Sequence, residues 1–186
     1  MTRIVAGSRG GRRLTAPPGQ ATRPTSDRVR EALFSTLESM TTLEGSRFAD
    51  VYAGSGAVGL EAASRGASAV LLVESDQRAG RVIRSNIAAL DLGQVCRLRI
   101  STVHSAVTTA GEEPFDVVFA DPPYSVTDRE INLFLAELVE YVWLASGGIV
   151  VIERSSRSPE PEWPRYVTPE RSKRYGESML WYGRRA

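Results

Sequence analysis

Phe115-Asp116-Val117-Val118-Phe119-Ala120-Asp121-Pro122-Pro123-Tyr124 begins as an apolar run of strand length and ends in an acid, two prolines and an aromatic ring. The run is rich in β-branched and aromatic residues, which marks a strand buried on both faces of a parallel sheet. Pro122 and Pro123 have no N–H to give a ladder, so the strand stops at Asp121. One carboxylate, the Pro122 carbonyl and the Tyr124 ring therefore stand at the carboxyl edge of a sheet, where open α/β folds bind ligands. Two acceptors and a ring suit an exocyclic amino group on a flat base. Four residues alone also fit an ordinary proline turn, so the rest of the chain has to decide.

Upstream, Phe48-Ala49-Asp50-Val51-Tyr52-Ala53-Gly54-Ser55-Gly56-Ala57-Val58-Gly59 runs from another strand into a helix. Gly54, Gly56 and Gly59 satisfy G-x-G-x-x-G, and Glu74 ends the following strand twenty residues after Gly54. Small residues let the backbone approach a ligand, and the acid receives ribose hydroxyls. The pattern calls for a nucleotide-like cofactor without choosing between a dinucleotide and S-adenosyl-L-methionine. Asp50, four residues before Gly54, is similar to the Asp-x-x-x-Gly-x-Gly of methyltransferase motif I. A carboxylate there can hold the loop or face the cationic methionine end. The chain is also short for the separate substrate domain common in dehydrogenases, and both features favour the methyl donor.

Strands are expected at Arg47–Tyr52, Ala69–Glu74, Cys96–Ile100, Phe115–Ala120 and Gly148–Glu153, with helices at about 57–65, 77–91, 103–110 and 129–144 between them. Such alternation implies a parallel sheet with right-handed crossovers and helices on both faces. Arg171–Tyr175 and Ser178–Tyr182 flank Gly176-Glu177 and read as a hairpin closing one sheet edge. Ahead of the alternating region, Arg23-Pro24-Thr25-Ser26-Asp27 reads as a helix start, with Thr25 or Ser26 as the cap. Val29, Ala32, Leu33, Thr36, Leu37 and Met40 supply that helix's apolar face. Residues 1–24 form a glycine- and arginine-rich arm, with short strands around Arg3–Ala6 and Arg12–Leu14 and much of it ordered on its partner. Residues 25–186 form the single domain.

Net charge is +1, but residues 1–30 carry +6, residues 31–153 carry −9 and residues 154–186 carry +4. Basic groups thus gather at the two ends, as expected for a polyanionic partner. The single cysteine, Cys96, excludes an internal disulfide and suits a reducing compartment. No apolar run has membrane-spanning length and the start lacks a signal-peptide core, so a cytoplasmic location is expected. No metal-ligand spacing is present. His104, the only histidine, is placed near the adenine side or in solvent; Cys96 and the three tryptophans are read as packing.

Asp121-Pro122-Pro123-Tyr124 after a strand resembles motif IV of the methyltransferases that modify amino nitrogens of nucleic-acid bases. The arm narrows this further. Arg3-Ile4-Val5-Ala6-Gly7, Gly10-Gly11-Arg12-Arg13-Leu14, Pro18-Gly19 and the run from Arg23 to Phe34 resemble the RsmD family, bacterial enzymes that methylate N2 of one guanine in 16S ribosomal RNA. The resemblance implies an α/β, Rossmann-like class I methyltransferase sheet, mostly parallel with an antiparallel C-terminal hairpin. It implies S-adenosyl-L-methionine held by Asp50, Tyr52, Gly54, Ser55, Gly56, Gly59, Glu74, Ser105 and Asp121, with Ser105 standing where an Asp or Asn is commoner. Asp121, Pro122 and Tyr124 would carry catalysis, and Arg3, Arg9, Arg12, Arg13, Arg23 and Tyr124 would meet RNA. The implied partner is 16S rRNA in an assembling or assembled small subunit, met by a monomer. The alternatives are another DNA or RNA amino-methyltransferase, a non-catalytic RNA-binding assembly factor on the same fold, and, furthest from the motifs, a nicotinamide oxidoreductase.

Overall fold

The computed structural model describes residues 2–18 and 26–186. The arm contributes two short antiparallel strands, β1 (Thr2–Arg3) and β2 (Arg13–Leu14), ahead of α1 (Asp27–Met40). Strands and helices then alternate: β3 (Arg47–Val51), α2 (Ala57–Ser64), β4 (Ala69–Glu74), α3 (Gln77–Ala89) and β5 (Cys96–Ile100). The second half follows with α4 (Val103–Thr108), β6 (Phe115–Ala120), α5 (Asp128–Glu140) and β7 (Leu144–Ser155). β8 (Val167–Tyr175) and β9 (Ser178–Arg185) form the closing hairpin around Gly176-Glu177.

The seven-stranded sheet has the order β5-β4-β3-β6-β7-β9-β8. Pairing is parallel from β5 to β7 and antiparallel on both sides of β9. Strand order reverses between β3 and β6, which makes their shared carboxyl edge the switch point of the sheet. β3, β4 and β6 are buried on both faces, which is why they read as continuous apolar runs. Phe48, Leu72, Phe119, Val151 and Tyr182 pack in one layer with α1, α2 and α3; Val51, Leu71, Val118, Val150 and Ile152 pack in the other with α4 and α5.

Ordering of the arm on a partner alone is corrected for the residues described. Ile4 and Leu14 belong to the same core as Phe34 and Phe48. The arm backbone is held by Glu61, a fully buried carboxylate on α2 that accepts Val5 N at 2.9 Å and Ala6 N at 3.0 Å. Arg65 Nε at 3.0 Å and Arg30 Nε at 3.6 Å neutralise it. Burial of an unpaired carboxylate would cost several kcal/mol, so these four partners belong together. The expected face of α1 does turn inward, with Leu33 and Leu37 buried and Val29 and Met40 packed at its flanks, and it is extended by Phe34 and the fully buried Arg30. Ser26 caps α1 by accepting Val29 N, whereas Arg23, Pro24 and Thr25 lie outside the described residues.

α5 stops at Glu140 rather than near residue 144. Val142 sits at φ +53°, Val142 N bonds Val139 O at 3.2 Å, and Trp143 N bonds Leu138 O at 3.0 Å. That is a Schellman ending with a β-branched residue where glycine is preferred. The chain freed by this early stop lets β7 start at Leu144. Left-handed backbone costs an L-residue roughly 1–2 kcal/mol, and glycine returns part of the gain as unfolded-state entropy. Val142→Gly is therefore expected to stabilise the fold by about 0.5–1 kcal/mol, since the side chain is half exposed. Equilibrium denaturation in urea checks it, and a loss of stability contradicts it.

Candidate active site

Asp50 lies near the end of β3, buried, and its Oδ2 accepts Gly59 N at 2.8 Å. That bond closes the loop between β3 and α2 into a compact turn. A Cβ on Gly59 would stand 2.9 Å from Leu72 Cδ2 and 3.1 Å from Asp50 Cβ, so only glycine lets α2 pack so closely on the sheet. Gly56, the residue before α2, adopts φ +83°. Gly54 also has a positive φ and looks onto open space, where a ligand can approach the backbone. Tyr52 holds φ +60°, an uncommon backbone for a bulky side chain, directly before this loop.

Glu74 ends β4 beside the same loop. Its Oε1 accepts Gly54 N at 2.9 Å, and Oε2 accepts Ser75 N at 2.7 Å and Asp76 N at 3.1 Å. The acid thus organises two turns while Oε1 keeps capacity for a further donor. Desolvation pushes the Asp50 carboxyl up to about 8, with the nearby Glu74 charge adding to it and the Gly59 hydrogen bond opposing it. A buried acid poised in this way suits a cationic neighbour, which would draw it into its ionised form.

Asp121 follows β6 at the same edge, because Val51 pairs with Ala120 across the switch point. Pro122 is buried and Tyr124 is 79% exposed, so its ring is presented rather than packed. The far end of this loop is firmly held: Val126 N bonds Pro123 O at 3.0 Å, and Thr127 with Glu130 forms a capping box for α5. Arg154 on β7 adds donations to Val126 O at 3.1 Å and Asp128 Oδ1 at 2.8 Å.

Other expected residues fall into place unevenly. Ser105 lies exposed in the first turn of α4, beyond the end of β5, with its N–H capped by Thr102. His104 is neither free nor in the loop cluster; its Nδ1 stands 2.7 Å from the buried Glu137 of α5. Arg3 and Arg13 are exposed, and Arg3 Nε is 3.7 Å from Asp27. Arg23 lies outside the described residues. Arg9 donates to Leu90 O and Asp91 O, and Arg12 to Ala89 O. These two guanidiniums cover the last carbonyls of α3, a helix with no basic residue in its own last turn.

Two residues escape a reading by motif. Buried Asn86 on α3 exchanges hydrogen bonds with Thr15 of the arm, both 2.9 Å, and donates to Ser55 O at 3.0 Å. It ties arm to glycine loop; its only signal was a polar residue on the apolar face of a helix. Arg154 gave none, since a basic residue after an apolar strand is commonplace.

Known proteins resemble this chain along nearly its whole length. The model of the family described as conserved hypothetical protein 95 matches residues 2–184. The chain belongs to this family, the RsmD family. It is 34% identical to ribosomal RNA small subunit methyltransferase D of Escherichia coli K12 over 94% of this chain and 85% of that one. It is 32% identical to YlbH of Bacillus subtilis over 94% of both chains. The solved structure of yhhF from E. coli superposes with a TM-score of 0.86 at 32% identity, covering 99% of this chain and 97% of that one.

The buried acid yields a test. Unfolded, Asp50 loses its proton near the ordinary carboxyl value of 3.8; folded, it keeps it to about 8. Its contribution to stability is therefore complete below about pH 4 and is lost as pH rises toward 8. Asp50→Asn keeps an acceptor for Gly59 and removes the titration. The variant should lose less stability than the parent between pH 5 and 8, by up to roughly 1.4 kcal/mol per pH unit in urea titrations. Equal slopes contradict the assignment.

Proposed function

We propose that this chain methylates the N2 amino group of a guanine in small-subunit ribosomal RNA, with S-adenosyl-L-methionine as the donor. The reading is supported above all by one observation: the glycine loop after β3 and the Asp121–Tyr124 loop after β6 leave adjacent strands at one edge. Membership in the RsmD family supports the ribosomal RNA substrate. The protein would work as a monomer in the cytoplasm, on rRNA within an assembling or assembled subunit. No helix among the described residues is long and apolar enough to cross a membrane.

Asp50, the Gly54–Gly59 backbone and Glu74 form a cradle suited to a nucleoside with a cationic tail. The open space at Gly54 and the raised pKa of Asp50 both agree with such a ligand. When bound, the donor supplies an activated sulfonium methyl. Everything else falls to the chain's own groups. The guanine amino nitrogen is a poor nucleophile because its lone pair is delocalised into the ring. Asp121 and the Pro122 carbonyl accept its two N–H bonds, localise the lone pair and stabilise the positive charge that grows on nitrogen. Asp121 also receives the released proton. Tyr124 stacks on the base once it has left its own stack. Positioning of the two reactants supplies most of the remaining acceleration.

Two measurements test this. Asp121→Ala should leave cofactor affinity within about two-fold and lower single-turnover methylation by roughly 10²–10³, the usual effect of removing one donor or acceptor from developing charge. Asp121→Asn keeps an oxygen acceptor and should retain part of the activity; turnover near that of the parent in Asp121→Ala removes the mechanism. Binding of the cationic cofactor beside Asp50 should expel a proton and tighten as pH rises from 6 toward 8. Calorimetry in buffers of differing ionisation enthalpy reads that proton directly, and a buffer-independent heat refutes it.

A further inference from the structure

A large cavity lies outside the site described so far. It measures about 530 Å³, within the roughly 300–1,000 Å³ typical of ligand pockets, and lies between the start of α1 and the turn of the β8–β9 hairpin. Ser26, Arg28 and Val29 line it on the helix side, and Lys173 to Ser178 on the hairpin side. Glu153 lines it from β7. Ile152, the residue before Glu153, pairs with Ala120, the residue before Asp121. The cavity therefore lies one strand over from Asp121 along the carboxyl edge, on the side away from the glycine loop.

Its cations come from two separate elements, Arg28 from α1 and Lys173 with Arg174 from the hairpin. Among the described residues, Arg28 and Lys173 have no carboxylate within ion-pair distance, and Arg174 uses its Nε on Gly176 O at 2.9 Å. β8 is the outer strand of the sheet, and Thr168 through Arg174 are exposed along it. An edge strand carrying unmatched cations is protected from pairing with other strands, which is the bland reading of Lys173 and Arg174. It does not account for Arg28, which comes from a different element and converges on the same space. Glu153 and Glu177 line the cavity too, so a bare anion would meet two acids along with the cations. A ribonucleotide brings more than charge: a phosphate for the cations and a base face for the half-buried Tyr175 ring.

We propose that this cavity holds the RNA nucleotide next to the target base, with Arg28, Lys173 and Arg174 on its phosphates. The strand then runs across the carboxyl edge, from the β8–β9 hairpin to the Asp121 loop. This surface is distinct from the basic arm, two of whose arginines are engaged on α3. It rests on the reading of the chain as an RNA methyltransferase and names the part of the site that grips the strand.

Lys173 is the only lysine in the chain, so its ε-amino group is a built-in reporter. Acylation of the folded protein by an N-hydroxysuccinimide ester, read by peptide mass, should mark Lys173 readily and be suppressed at least five-fold by saturating 16S rRNA or small subunits. The double variant Lys173→Ala/Arg174→Ala alters two exposed side chains and should melt as the parent does. Its KM for RNA should rise at least ten-fold with kcat and cofactor affinity within two-fold of the parent. The slope of log affinity against log salt should fall by about 1.4–1.8, from the two phosphates no longer neutralised. Full acylation of Lys173 in the RNA complex, or an unchanged KM and salt slope, overturns the proposal. If the double variant does not fold, the acylation measurement on the unaltered protein decides alone. Failure of the parent to methylate any small-subunit RNA would sink the functional reading instead, and the protection and binding measurements would still judge the cavity.

Discussion

Parallel pairing of β3 with β6 is the constraint on which the rest depends. Because the two strands run in the same direction and Val51 lies opposite Ala120, their carboxyl ends stop at the same height. The glycine loop leaves one end and Asp121-Pro122-Pro123-Tyr124 leaves the other. Strands further out diverge in opposite directions from this pair, so the chain leaves the two loops toward opposite halves of the sheet. A one-residue slip would turn Asp50 from its bond with Gly59 and move Phe119 out of its layer. Site and core therefore share a single register.

A second constraint is electrostatic and lies under the arm. Glu61 is buried on α2, and its carboxylate gathers two backbone N–H groups from the arm and two guanidiniums, from α1 and from the end of α2. Such a cluster is stable only when complete, since any missing partner leaves charge stranded in the core. The arm is thus a structural element first. Its arginines divide accordingly: Arg9 and Arg12 terminate α3, whereas Arg3 and Arg13 stay at the surface. Asn86 carries this order on to Ser55, so the cofactor loop and the arm share a hydrogen-bonded neighbour.

Much of the fold was legible in the residues themselves. Ala69–Glu74, Cys96–Ile100 and Phe115–Ala120 are strands at the expected bounds: the two central ones are largely apolar runs buried on both faces, whereas Cys96–Ile100 at the sheet edge alternates apolar residues with arginines. Ends governed by tertiary contacts were not legible. α5 is shorter than its periodicity suggests because a left-handed Val142 breaks it, and valine carries no such signal. α1 buries Arg30 beside its expected Leu33 and Leu37 because Arg30 is drawn to Glu61, thirty-one residues away in sequence.

The chemistry divides along the same line. Residue types and spacing alone determined the nucleotide-like loop, the acid that follows it and the proline-bounded carboxylate, since each is a local device of strand, turn and helix start. Only the tertiary structure decided which arginines are engaged in the fold and which are left to meet a partner. It also decided that Arg28 and the sole lysine, Lys173, share one cavity although they are far apart along the chain. Local propensity fixes where a strand begins and what ends it. Which charges find partners depends on elements brought together by burial, and that is settled only when the whole core closes.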